Sequence, residues 1–227
     1  MIRVTPQLEP EGFDEHVRKK GAAWLEASVV NPTKERPIAY WTQWEPCAPA
    51  VAQMFAERCG YLATVLTPGC GHVDHFVSWK SCKEQNKHHL AYEWTNYRWL
   101  HPQLNSSKQG VELVDPFEVE DEWFDLEIFT LNLVVHWNKI QDAAVRGRVK
   151  ATVERLGLID GARAIKLREG ALQLYQKGLR IEAVEGLAPL VGRALRRLID
   201  AGPDQPNAAH ARLRARLLAA HRAATDP

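Results

Sequence analysis

His72-Val73-Asp74-His75-Phe76 lies inside residues 61–81, a stretch of β-branched and aromatic residues punctuated by Pro68-Gly69 and Gly71. That composition predicts two short strands around a turn. Asp74 and His75 are adjacent, so in a strand they point to opposite faces. They can serve one site only if the strand ends there and the following elements fold over it. Two more polar groups follow, Glu93-Trp94-Thr95-Asn96 and Asn105-Ser106-Ser107-Lys108. A carboxylate and an amide oxygen are hard ligands suited to Mg²⁺ or Mn²⁺, and an imidazole beside them is the natural general base near neutral pH.

Outward from this stretch, residues 83–110 are polar, histidine-rich and aromatic with little periodicity. They predict loop with a short strand near 97–100. On the N-terminal side, Phe13, Val17 and Ala22-Ala23-Trp24 recur at helical spacing after Pro10-Glu11-Gly12, and Asn31-Pro32 breaks the pattern. A second helix is expected over about 49–58, with Val51, Met54 and Phe55 as its apolar stripe and Gly60 ending it. On the C-terminal side, residues 112–127 hold eight acidic side chains, and Phe124, Leu126 and Ile128 alternate with polar positions as in a half-buried strand. Helices are expected at roughly 140–156, 161–179, 183–201 and 207–224.

The 227 residues are 45% hydrophobic and 25% charged, which excludes a disordered, collagenous or disulfide-scaffold protein. The formal charge of +1 conceals a split. Residues 1–138 carry 12 basic and 19 acidic side chains, whereas residues 139–227 carry the remaining 17 and 9. No run of 18 apolar residues occurs and the first residues lack a signal-peptide plan, so a cytoplasmic protein without a membrane span is expected. The cysteines, Cys47, Cys59, Cys70 and Cys82, form no C-x-x-C pair and are expected as reduced thiols.

The Asp-His pair, a middle Asn and a third Asn opening a helix together resemble the HNH endonuclease signature, whose fold is the ββα-metal, or His-Me, finger. The resemblance makes His75 the general base, with Asn96 orienting its loop, and gives Asp74 and Asn105 to one divalent metal, Mg²⁺ or Mn²⁺. Lys108 would contact a phosphate, and His72, on the strand face of Asp74, is a further candidate for the site. The similarity extends to the HNH subunits of Septu-type anti-phage systems, some of them encoded with retrons. It is carried by Glu9-Pro10, Arg18 and Trp24, by Asp115-Pro116-Phe117-Glu118 leading to Trp123-Phe124, and by Leu156-Gly157-Leu158, over about residues 2–200. It implies an ATPase subunit of the ABC or SMC-like kind as partner. This chain itself has no G-x-x-x-x-G-K-[ST] loop.

Members of that group frame the core with two C-x-x-C pairs that bind a structural zinc. Here the corresponding segments read Cys59-Gly60-Tyr61-Leu62 and His101-Pro102-Gln103-Leu104. Cys59 and His101 supply two of the four ligands a tetrahedral site needs, so the zinc is expected to be absent, with Leu62 and Leu104 as apolar filling.

Plainer roles compete with these. The aromatics Tyr92, Trp94, Tyr97 and Trp99 suit core packing or base stacking. Lys80, His88 and His89 suit a solvated loop. The last helix, with Arg212, Arg214, Arg216 and Arg222 among alanines and leucines, suits either nucleic acid or a protein partner. The acidic run is expected to face away from substrate or toward a partner's basic surface.

The sequence therefore predicts an α+β protein in three segments. Residues 1–44 form an N-terminal helical arm, 45–138 an HNH nuclease core with following strands (the ββα-metal part at about 45–118), and 139–227 a helical region. The expected activity is metal-dependent hydrolysis of phosphodiester bonds in DNA or RNA as the effector of an anti-phage complex. The alternatives are a restriction or mobile-element HNH nuclease and a catalytically silent scaffold subunit.

Overall fold

Short helices and two separate two-stranded antiparallel sheets make up the α+β architecture of the computed structural model, which describes residues 1–27, 37–67, 69–107, 112–201 and 211–225. Its contacts fall into two compact units that cut across the three sequence segments. One comprises Val4–Gly60 with Leu66–Val111, and the other Met1–Arg3, Tyr61–Val65 and Glu112–Pro227. Among the described residues no helix is long and apolar enough to cross a membrane.

The first unit carries the Asp-His stretch. A π-helical turn, Asp14–Arg18, runs into α1 (Lys19–Ala27), and α2 (Tyr40–Gln43) and α3 (Cys47–Met54) follow. Val51 and Met54 of α3 and Phe55 just after it, the stripe the spacing predicts, are buried, but the helix ends earlier than Gly60. Ala56 and Glu57, at φ of +48° and +58°, take left-handed conformations there, and the Glu57 amide returns to the Ala52 carbonyl at 2.7 Å. Of the two strands expected in 61–81, one forms. It is β1 (His72–His75), paired antiparallel with β2 (Tyr97–Leu100) so that Asp74 faces Arg98 and His75 faces Tyr97. Gly71 precedes β1 because a Cβ there would lie 2.0 Å from the Trp99 indole. The strand expected before the turn, within 61–67, does not form among the described residues, and after β1 the chain runs into α4 (Trp79–Glu84), started by Ser78, whose hydroxyl accepts the Ser81 amide at 3.2 Å. Helix α5 (Pro102–Ser107) leaves directly from β2, so the order is strand, long connection, strand, helix.

In the second unit, β3 (Phe124–Leu126) pairs with β4 (Leu133–Val135), and Phe124 and Leu126 are buried as their alternation predicts. Helices α6 (Ala143–Arg155), α7 (Ala162–Gln176), α8 (Ile181–Leu187), α9 (Pro189–Asp200) and α10 (Ala211–Thr225) follow. The helix expected over 183–201 is two, because Pro189 has no amide hydrogen to continue α8 and instead opens α9. The two pack so closely that a Cβ on Gly192 would approach the Glu185 backbone to 2.7 Å.

The acidic run meets this unit's own cations. Glu118 pairs with Arg148 at 3.0 Å, Glu122 with Lys139 at 3.0 Å and Asp125 with Arg197 at 2.6 Å, while Asp121 accepts the Arg3 amide. These pairs form because opposite charges on neighbouring elements attract within the unit.

Arg168 is 2% exposed and donates to the carbonyls of Leu131, Leu158 and Ile159 at 2.7, 2.6 and 3.2 Å. Burial pushes its guanidinium down to about 10, so it is still charged at neutral pH. It closes the ends of the loops after β3 and α6. Arg168→Met, which fills similar volume but takes this donor from the Leu131 and Leu158 carbonyls while the Ile159 carbonyl keeps the Leu133 amide, is expected to lower stability by about 2–3 kcal/mol. A thermal melt of full-length protein unchanged from wild type would refute this role.

Candidate active site

β1 ends at His75, and the chain bends at Phe76-Val77. The turn is held from the other end of the connection by Asn96. Its backbone carbonyl accepts the Phe76 amide at 2.8 Å, and its side-chain Oδ1 accepts the Val77 amide at 2.7 Å. Its Nδ2 donates to the carbonyls of Val77 at 3.1 Å and Leu90 at 2.9 Å. The side chain is 4% exposed. A primary amide has two donors and an acceptor, and here each is used on backbone. Asn96 thus ties the exit of β1 to the middle of the connection and to the start of β2.

That tie fixes the surroundings of His75. Its Nε2 lies 2.9 Å from the carbonyl oxygen of Ala91, the residue after Leu90. A carbonyl can only accept, so Nε2 carries the proton and the neutral ring has its lone pair on Nδ1. The Tyr97 hydroxyl donates to the same carbonyl at 3.0 Å. Burial drives the Tyr97 phenol far up, so it stays a donor throughout the ordinary pH range. Trp41 stands edge-on to the imidazole with ring centroids 4.5 Å apart at 83°, and the Tyr97 ring lies 5.5 Å from it. His75 is half-buried, with the Ala91 carbonyl, Trp41 and Tyr97 among the groups that hold its ring.

Asp74 is 5% exposed and points to the other face, with His72 two residues before it. His72 itself is exposed. Across the sheet from Asp74, Arg98 is buried and donates to the carbonyls of Thr95 and Tyr97, each at 2.8 Å, with its guanidinium 5.1 Å from the centre of the Phe76 ring. Asn105 falls in α5, the helix that follows β2. Its side chain and all of Lys108 lie outside the described residues. Among those described, no three His, Cys, Asp or Glu side chains converge on a cation position. The expected pair is a carboxylate and an amide, whose oxygens fit a hard divalent ion by donor type.

The arm is fastened to the same connection. Arg18 reaches Glu9 and Asp14, the latter at 2.7 Å, and its Nε lies 3.1 Å from a Glu93 oxygen. Surrounded by three carboxylates, its guanidinium is pushed further up. Glu93 accepts the Asn96 amide at 3.0 Å through its own carbonyl, and the Trp94 indole donates to the Gln7 carbonyl at 2.8 Å. Tyr92, Trp94 and Tyr97 are buried, which makes them core residues rather than base-stacking platforms. Lys80 is exposed beside Glu84 at 3.8 Å, and His88 packs against Trp79 in a 3₁₀ turn. Cys59 is buried and its sulfur accepts the His101 amide at 3.4 Å, so the two expected remnants of a zinc frame are neighbours. Leu62 and Leu104 are each buried, and all four cysteines are free thiols, with Cys70 exposed.

Trp41 is the contact that sequence reasoning missed. It lies 34 positions before His75 with no motif linking them. The chain matches no family model, no curated protein and no solved structure.

Proposed function

We propose that this chain is a metal-dependent endonuclease that hydrolyses phosphodiester bonds of nucleic acid, with His75 as general base. One observation carries the reading. The Asp-His pair ends a strand whose antiparallel partner feeds directly into the helix bearing Asn105, while the connection between the strands returns a backbone carbonyl to the imidazole. In that arrangement Nδ1 of His75 takes a proton from water, and the imidazolium that forms keeps its Nε2 hydrogen bond to the Ala91 carbonyl. That bond strengthens as the ring gains charge. Asn96 acts at one remove, by holding Leu90 and hence the neighbouring Ala91. Asp74 and Asn105 would hold Mg²⁺ or Mn²⁺, which when bound supplies Lewis-acid stabilisation of the charge on the phosphorane and the leaving oxygen. Lys108 and His72 would lie toward the substrate phosphates.

Anti-phage defence, in complex with an ABC or SMC-like ATPase, is the biological setting the resemblance supports. A nonspecific nuclease inside a cell must be restrained, and a partner that licenses it meets that need. The test incubates purified full-length chain, alone and with any ATPase that copurifies, with plasmid, single-stranded DNA and tRNA. The expected result is cleavage of at least one substrate in Mg²⁺ and none after chelation with EDTA. Intact substrates under every Mg²⁺ condition, or products that persist in EDTA, would overturn the proposal.

A further inference from the structure

We infer that the exposed face of α10, together with Lys177 just past the end of α7, binds the phosphate backbone of nucleic acid. This rests on the nuclease reading and deepens it by naming where the strand is gripped. Residues 211–225 contain Arg212, Arg214, Arg216 and Arg222 and no carboxylate. Leu217 is fully buried and Arg214 buried, which fixes the inward side of the helix. The outward positions are Ala211, Arg212, Ala215, Arg216, Ala219, Arg222 and Ala223.

Charge decides what such a face is for. Elsewhere in this unit several cations are met by carboxylates. Arg148 has Glu118, Lys139 has Glu122, Arg197 has Asp125, and Arg196 has Glu185 at 2.7 Å and Glu182 at 3.5 Å. Among the described residues, no carboxylate pairs with Arg212 or Arg216. Arg216 touches the neutral Gln176 at 3.4 Å, which brings it to the end of α7, one residue from the exposed Lys177. Arg163 and Lys166, also exposed on α7, likewise lack an ion pair among the described residues, and Glu169 is that helix's one acid.

Two arginines four positions apart on a helix are separated by about 6 Å along its axis. That is near the roughly 6.8 Å by which two successive nucleotide steps of one strand rise along a duplex axis. A protein-docking face needs large apolar anchors at its centre. The outward positions of α10 offer only alanine methyls between guanidiniums, which excludes little water but leaves a backbone room to approach. Phosphate is therefore the better occupant.

The experiment measures binding apart from cleavage. Full-length protein without divalent metal is titrated against a labelled duplex, a single strand and a folded RNA between 50 and 300 mM salt. Arg212→Glu/Arg216→Glu is expected to weaken binding at 100 mM salt by about ten-fold or more and to make the plot of log K against log salt shallower by about 2. Arg212→Gln/Arg216→Gln, with unchanged circular dichroism and Tm, should shift both in the same direction by less. Equal affinity and slope in wild type and both variants overturns the inference even if the wild type cleaves. So does the absence of wild-type binding at 50 mM salt, or unchanged nucleic-acid binding accompanied by loss of a copurifying protein. Should the variants lose binding while wild type leaves every substrate uncut in Mg²⁺, this face stands and the nuclease reading falls.

Discussion

His75→Ala is expected to reduce cleavage by about 10²–10⁴-fold, the usual contribution of a positioned general base, and to leave the protein folded. Stability is spared for a specific reason. The substitution removes the Nε2 donor from the Ala91 carbonyl, but the Tyr97 hydroxyl still donates to that oxygen at 3.0 Å, so no buried acceptor is orphaned. The imidazole is half-buried, and its loss leaves a gap beside Trp41 that the indole edge or water can occupy. A loss under about 1 kcal/mol follows. The checks are a single-turnover cleavage rate in Mg²⁺, a thermal melt and copurification of any partner. Cleavage within a few-fold of wild type would remove His75 from the role of base and with it the assignment of the site.

The parts of this site that the sequence exposes are those where a local rule decides. Asp74-His75 stands in β-branched company and forms a strand, and residues 97–100 pair with it where a strand is expected. The helices from residue 143 onward keep their apolar spacing, and the Pro189 break obeys the ordinary rule for proline, though the surrounding periodicity hides it. Other features depend on partners distant in sequence. Ser78 caps α4 although the residues around it have strand-like composition, because a satisfied first turn outweighs weak propensity. Trp41 reaches His75, and Tyr97 shares the Ala91 carbonyl with it, only once the chain is folded. The interior position of Arg168 is equally invisible, since an arginine on a helix reads as a solvated residue until the carbonyls of Leu131, Leu158 and Ile159 converge on it.

The same distinction applies to charge. Counting along the chain separates an acidic part from a basic one, but it cannot tell which charges cancel. In the structure Glu118, Glu122 and Asp125 are matched by Arg148, Lys139 and Arg197. Such exposed pairs each contribute little to stability. They do remove three cations from the pool available to a ligand, which makes Arg212 and Arg216, with no carboxylate partner among the described residues, more informative than the net +1 of the whole chain.

Asn96→Asp is expected to lower stability by about 3–5 kcal/mol at neutral pH. The new side chain keeps one acceptor for the Val77 amide, but replaces the Nδ2 donor by an oxygen facing the carbonyls of Val77 and Leu90, now 3.1 and 2.9 Å from Nδ2. An anion would be buried against two carbonyl dipoles. Protonation restores a single O–H donor, so the introduced carboxyl titrates above its unfolded value of about 3.9 in the folded protein. The folded state then holds the proton more tightly than the unfolded one, and stability falls as pH rises between the two values. The deficit against wild type should accordingly be complete above the folded pKa and shrink as pH drops through it toward about 4. Urea unfolding of both proteins at several pH values reads this directly, and a deficit that does not change with pH would contradict it. Cleavage should fall as well, because releasing the Leu90 carbonyl frees the adjacent Ala91 and with it the hydrogen bond that sets the His75 tautomer. Asn96→Asp that loses stability yet keeps the wild-type rate under folding conditions would show that Asn96 holds the loop without positioning the base.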